Sequence, residues 1–216
     1  MVLEVFDFRD DLRNVFISPE IRSRFVKMEP GEMSVRHSHD LGHEIFLVLQ
    51  GKAEFEVENR KKVLSEGQLC VARIDERHSV TCVGDEPMIM YLSVTPHVEP
   101  THTRRDDDGK KLPPSYGPST QQDRKMHDPA KGKSSTDLAE ALNSSVRDLA
   151  ARVDETVNAL SQVAPEAIRA LNERDRESAK TSLDEMWSHM FRTLQEVSNT
   201  ELAWNQFSAR IDESRE

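Results

Sequence analysis

Cysteine is nearly absent: Cys70 and Cys82 are the only two in 216 residues, too few for a disulfide framework. Long apolar runs are missing as well. The longest, Ile45 to Leu49, is far short of a membrane span, and the N-terminus has no basic start followed by an apolar stretch. A soluble cytoplasmic chain is the expectation. Basic residues are in deficit, 29 against 39 acidic ones, for a net charge of −10. This balance argues against nucleic acid or anionic membrane as a main partner, because phosphate binding relies on clustered Lys and Arg. Apolar residues make up only 36%, lean for a single globule, so part of the chain reads as linker or exposed helix.

What is present falls into three regions. Residues 1–96 carry short apolar or alternating runs, IRSRFVKM, EIFLVLQ, KAEFEVE, QLCVARI, HSVTCV and PMIMYLSV, each of strand length and bounded by turn formers or Glu. The pattern predicts an all-β sandwich or barrel. In KAEFEVEN, Ala53, Phe55 and Val57 alternate with Glu54, Glu56 and Glu58, which describes a strand with one wet side.

Residues 97–135 are rich in proline and charge and poor in aliphatic side chains. They read as a linker, partly laid over the barrel, because so little apolar surface cannot offset the entropy of ordering. Beyond Ser135 the period becomes helical. Leu138, Leu142, Val146, Leu149, Val153, Val157, Leu160 and Val163 form a narrow seam, with Thr136 as the expected N-cap. Pro165 is placed at the start of a second helix, whose apolar positions run from Ile168 and Leu171 through Leu183, Met186, Met190, Leu194 and Val197 to Trp204, Phe207 and Ile211. The polar patch NERDRESAK interrupts that pattern as a bend or frayed middle. Residues 136–216 thus read as a coiled-coil-like helical hairpin or small bundle, with a seam that self-associates or binds another protein.

The chemistry-bearing stretch is PGEMSVRHSHDLGHEIFLVLQG, residues 30–51. Residues two apart on a strand share a face, so His37 and His39 project together and Glu44, opening the next strand, can point back at them. His78, at the start of HSVTCV, completes a set of three imidazoles and a carboxylate if it faces the same interior. Such donors suit Fe(II), Mn(II), Ni(II), Cu(II) or Zn(II). His43 has the opposite parity and is expected at the surface or behind the ligands. His97 and His102 are expected in a solvated loop, and Glu185 with His189 forms a surface pair one helical turn apart. Val35, Phe46, Val48, Phe55 and Val57 are expected to be mainly core, some of them walls of a pocket, and Cys82 either lines that pocket or fills core.

The string Gly31-x5-His37-x-His39-x4-Glu44-x6-Gly51 resembles the first motif of the cupin superfamily at every defined position. The second motif, G-x5-P-x-G-x2-H-x3-N, aligns on Gly67 to Cys82 and keeps Gly67 and His78. Arg73, Asp75 and Cys82 stand where Pro, Gly and Asn are usual. Asp tolerates a left-handed turn better than most residues, so the turn before His78 is expected to survive.

The resemblance covers roughly residues 20–95. It implies an antiparallel jelly-roll barrel, so the fold class is mainly β plus α, with the helical region after it. It also implies a mononuclear divalent metal, Fe(II) or Mn(II) favoured, held by His37, His39, Glu44 and His78, and pairing of barrels as a homodimer. The functional expectation is a metal-dependent enzyme acting on a small organic molecule with dioxygenase-type chemistry; isomerase, decarboxylase or lyase chemistry is also compatible. The alternative is a non-catalytic metal- or ligand-binding module with a helical tail. No catalytic group beyond the metal ligands stands out.

Overall fold

A computed structural model of the chain describes residues 3–116 and 130–210. The contacts divide it into two compact units, one built on strands and one on helices.

Eight strands are present among the described residues: β1 (Asn14–Ile17), β2 (Arg22–Met28), β3 (His43–Gln50), β4 (Lys52–Val57), β5 (Arg60–Ser65), β6 (Leu69–Ala72), β7 (His78–Cys82) and β8 (Met88–Thr95). They form two antiparallel sheets, ordered β1-β2-β8-β3-β6 and β5-β4-β7. The core lies where the apolar faces meet. Met28, Phe46, Val48, Met88 and Met90 come from one sheet and Ala53, Phe55, Val80 and Cys82 from the other. The Phe46 and Phe55 rings meet across the sheets at 5.3 Å, and each buried ring contributes about 2–3 kcal/mol of transfer free energy.

Six strands sit where the apolar runs place them, and β1 and β5 are additions. The sequence RKKVLS of β5 is too polar to read as a strand by its own pattern. A two-residue turn at Glu58 and Asn59, both at positive φ (49° and 70°), folds it back onto β4, and the turn rather than burial sets the pairing. Among the described residues β1 is a short edge strand paired with β2. At the other end of β4, Gly51 has φ +74°, and a Cβ there would stand 2.8 Å from the Pro87 carbonyl oxygen, so the motif glycine is required on two counts.

The stretch after β8 is ordered by polar bonds. Ser38 and Thr103 exchange both backbone hydrogen bonds, His97 N–H donates to the Pro19 carbonyl, and Arg105 donates to Ser38 Oγ at 2.7 Å and to Asp75. Lys111 adds ion pairs to Asp40 and Asp75. The entropy argument from scarce aliphatics fails for residues 97–112 because backbone pairing and charge, not apolar burial, hold them in place. Residues 117–129, read with the same linker, lie outside the described residues.

The second unit is a hairpin of α1 (Ser135–Glu173) and α2 (Arg176–Ser208). Two boundaries differ from the expectation. Ser134, not Thr136, is the N-cap of α1, because its hydroxyl accepts from Asp137 N–H while the Asp137 carboxylate takes the Ser134 N–H. Pro165 does not begin a helix; α1 runs through it to Glu173, with Ala167 and Ala170 buried beyond it. The polar patch is the turn itself. Arg174 adopts the left-handed conformation (φ 60°), and Asp175 caps α2 by accepting from Ser178 N–H.

The seam keeps Leu138 buried and Leu142, Leu149, Leu160 and Val163 half-buried, and is shifted at Val146, Val153 and Val157. Thr156 Oγ1 lies 2.7 Å from Thr193 Oγ1 and Ser145 Oγ lies 3.0 Å from Thr200 Oγ1, which fixes the helices antiparallel. Ala167, Ala170, Ala179 and Ser182 are buried, whereas Val146, Val153, Val157, Ile168, Leu171, Leu183, Trp187, Phe191 and Leu194 are exposed. Ile211 lies outside the described residues. No described helix is long and apolar enough to cross a membrane.

Candidate metal centre

Glu44 enters the barrel from β3 on the same face as Phe46 and Val48, and is 3% exposed. A carboxylate so placed must be compensated. Its Oε2 lies 2.9 Å from His39 Nε2, 2.9 Å from His78 Nε2 and 3.8 Å from His37 Nε2. Each of the four offers one ligand atom, and those atoms all lie within 4.8 Å of one another. The structure thus gathers the three side chains that parity and spacing select, together with His78, which the second motif adds. Ligands about 2.1 Å from a common ion stand about 3 Å apart when adjacent and about 4.2 Å when opposite, and the cluster has that size.

The backbone sets the ring orientations. His37 and His78 face each other across a pair of backbone hydrogen bonds, which carries the first motif's loop onto the start of β7. All three rings donate Nδ1–H to a carbonyl: His37 to Val35 (2.8 Å), His78 to Glu76 (2.9 Å) and His39 to Thr101. These bonds select one tautomer and turn each Nε2 inward. His39 and His78 then present both ring nitrogens to acceptors, although a neutral imidazole has one N–H. The arrangement calls for positive charge at its centre, either protons on the rings or a cation shared by the Nε2 atoms and Glu44. The buried Nε2 of His37 has no hydrogen-bond partner. An orphaned nitrogen beside a buried carboxylate fits a metal ligand.

The protonation energetics follow from this packing. Burial works against the Glu44 carboxylate, yet the hydrogen bonds from His39 and His78 hold its pKa well below the ordinary value. For His78 burial favours the neutral ring, but the Glu44 bond outweighs it and the pKa is raised. Burial, aided by the charge of His78, brings His37 down to about 4. His37 is the least covered of the four, its side chain 15% exposed, and marks the open side of the site.

Residues around the centre are distributed unevenly with respect to the sequence reading. Asp75 takes the left-handed conformation (φ 63°) that a glycine usually supplies, so the turn into His78 survives. His43 points away and accepts from Ile74 N–H at 3.2 Å. Phe46 borders the centre, its ring 5.7 Å from that of His78. Val48, Phe55 and Cys82 belong to the core cluster instead, and the Cys82 thiol donates to the Glu86 carbonyl. Val35 is not a wall: it is 65% exposed, and only its carbonyl serves the site.

His97 and His102 are not solvated loop residues. His97 is 3% exposed, and the His102 ring packs 4.5 Å from that of His37 and 5.1 Å from that of His39. Burial, with the nearby charges of His37 and Arg22, depresses the His102 pKa to about 2; burial and Arg22 bring His97 to about 3. Both rings are neutral at ordinary pH. A cavity of about 460 Å³ lies against His39, Gly42, Glu99, Thr101, His102 and Leu112.

Residues 24–95 match the family model described as Cupin domain. No curated protein matches the chain. Among solved structures it is similar to an uncharacterized conserved protein with a double-stranded beta-helix domain from Klebsiella pneumoniae, at 22% identity over 44% of this chain and 91% of that one, TM-score 0.42. It is also similar to TT1209 from Thermus thermophilus (19% identity, 44% and 98% covered, TM-score 0.42). KdgF from Halomonas sp. gives 27% identity over 44% and 80%, TM-score 0.36.

Proposed function

From the premise that residues 24–95 form a cupin domain, we propose that the chain binds one divalent transition metal through His37, His39, Glu44 and His78 and acts on a small organic molecule, with dioxygenase-type chemistry. The observation that carries this reading is the shared orientation of the rings: three Nδ1–H groups are spent on carbonyls, so the three Nε2 atoms face Glu44. Four protein donors leave two places of an octahedral ion for small ligands, and the bound ion would polarise a substrate oxygen or support redox chemistry. Iron(II) or manganese(II) suits this donor set, with Ni(II), Cu(II) and Zn(II) chemically compatible.

The chain's own residues do the rest. His102 and Thr101 border the cavity next to His39 and offer neutral hydrogen-bonding groups to a bound molecule. Phe46 and the buried core beneath it exclude water from the far side of the cluster. Oxygen uptake by the Fe(II)-loaded protein, screened against diketones, catechols and thiols, tests the chemistry. Uptake with one class, abolished by His37→Ala with His39→Ala, is the expected result, and sustained silence across classes would contradict it.

The alternative is a non-catalytic module whose barrel binds a metal or ligand while the helices bind a second copy or another protein. The hairpin favours this part of the reading, because Val146, Val153, Val157, Leu183, Trp187 and Phe191 are exposed on it. The barrel is also proposed to pair as a homodimer.

A further inference from the structure

Arg22 is a buried cation that the folded chain does not complete. It is 2% exposed, its Nε and Nη1 are enclosed without an acceptor, and no acidic group among the described residues forms an ion pair with it. Burying a guanidinium without a counter-charge is strongly unfavourable, so such a group is kept where something outside the chain completes it.

Its position says what that is near. Arg22 pairs with Val94 across β2 and β8, and Val94 pairs with Glu44 across β8 and β3. Residues in one cross-strand row share a face, so Arg22 projects into the same interior as Glu44, one strand removed, at a backbone separation of about 10 Å. Arg22 also acts on His97 and His102, and His102 packs against His37. Glu99, the buried carboxylate of this region, is engaged elsewhere, accepting from Thr101 N–H at 3.3 Å and standing 3.8 Å from His97 Nε2.

We propose that Arg22 is the carboxylate-binding subsite of this barrel, taking one carboxylate of a small anionic ligand whose other oxygens face the His37, His39, Glu44 and His78 cluster. The proposal rests on the metal reading for the second half of that contact and deepens it, narrowing the ligand to carboxylic acids. A guanidinium fork matches a carboxylate in plane and spacing, and an ammonium does not. The cavity of about 460 Å³ lies against His39 and His102, the second of which feels the Arg22 charge, and is ample for a two- to six-carbon acid.

Calorimetric titration of the full chain with malonate, and with neutral malonamide as control, tests it, alongside elemental analysis of every sample. Malonate is expected to bind the metal-loaded protein and malonamide about tenfold or more weaker. Arg22→Met, which keeps the apolar stem, and Arg22→Lys, which keeps the charge, are both expected to retain metal and to weaken malonate about tenfold or more, Lys less than Met. Malonate bound equally by wild type and both variants, or no preference of the wild type for malonate over malonamide, overturns the subsite. If the wild type carries no metal the metal reading fails by itself. The Arg22 contact is then judged on the same titrations of metal-free protein, where a retained Arg22-dependent preference for malonate supports it and none overturns it.

Discussion

The imidazole of His39 donates its Nδ1–H to the carbonyl oxygen of Thr101, sixty-two residues further along the chain. A ligand in the first motif is therefore oriented by the segment that follows the last strand. Partners behind a ligand typically alter metal affinity about 10- to 100-fold. Arg105 ties that segment to the turns that carry His39 and lead into His78, through Ser38 and Asp75. Arg105→Ala is expected to weaken metal binding about tenfold in competition against a chromophoric chelator. Affinity unchanged from wild type would show that the segment does not help to orient His39.

Gly51 supplies a sharp stability test. Its φ of +74° penalises any side chain, and so does the Pro87 carbonyl oxygen, which would stand 2.8 Å from an added Cβ. Gly51→Ala should cost about 2 kcal/mol or more and lower the thermal midpoint of the barrel by several degrees. A midpoint equal to wild type would mean that the β3–β4 turn relaxes freely.

Acid should loosen the segment after β8 through His97. Its folded pKa of about 3 lies below the ordinary value of 6.5, chiefly because the ring is buried, with Arg22 adding to the effect. The unfolded chain takes up a proton first, so this contribution is full above pH 6.5 and is lost as pH falls toward about 3. By pH 5 the loss amounts to about 2 kcal/mol at most. Thermal melts of metal-free protein at pH 7.5 and pH 5 should differ by several degrees more in wild type than in His97→Gln. Equal differences would contradict a buried neutral ring.

The hairpin predicts self-association through its outer face. Leu183→Ser with Trp187→Ser removes two exposed apolar groups of α2 without touching the buried Ala179 and Ser182. Light scattering over a concentration series is expected to show a lower mass for the double variant. Identical masses would place any assembly elsewhere.

Much of the barrel is legible in the sequence because its strands announce themselves by alternation and by bounding turns, as in KAEFEVEN. What escapes depends on chain geometry beyond the local pattern. β5 is made by a turn at Glu58 and Asn59, not by its composition. His37, His39 and Glu44 can be read from parity within residues 37–44, a local property of strands and turns, whereas His78 rests on its resemblance to the second motif. His102 cannot, because its place beside His37 depends on the backbone pairing of Ser38 with Thr103 across the barrel mouth. Arg22 sits in the readable run IRSRFVKM, but its isolation shows only once three strands are in register. In α1 the apolar count places Leu138 correctly but misses at Val146 and Val157, because Ser145 and Thr156, polar in sequence, face α2 there instead.

The central claim is that His37, His39, Glu44 and His78 hold one divalent ion. Elemental analysis of purified protein after equilibration with Fe(II) or Mn(II), beside His39→Ala with His78→Ala, measures it directly. The account predicts about one ion per chain in the wild type and almost none in the variant; equal metal in both would contradict it.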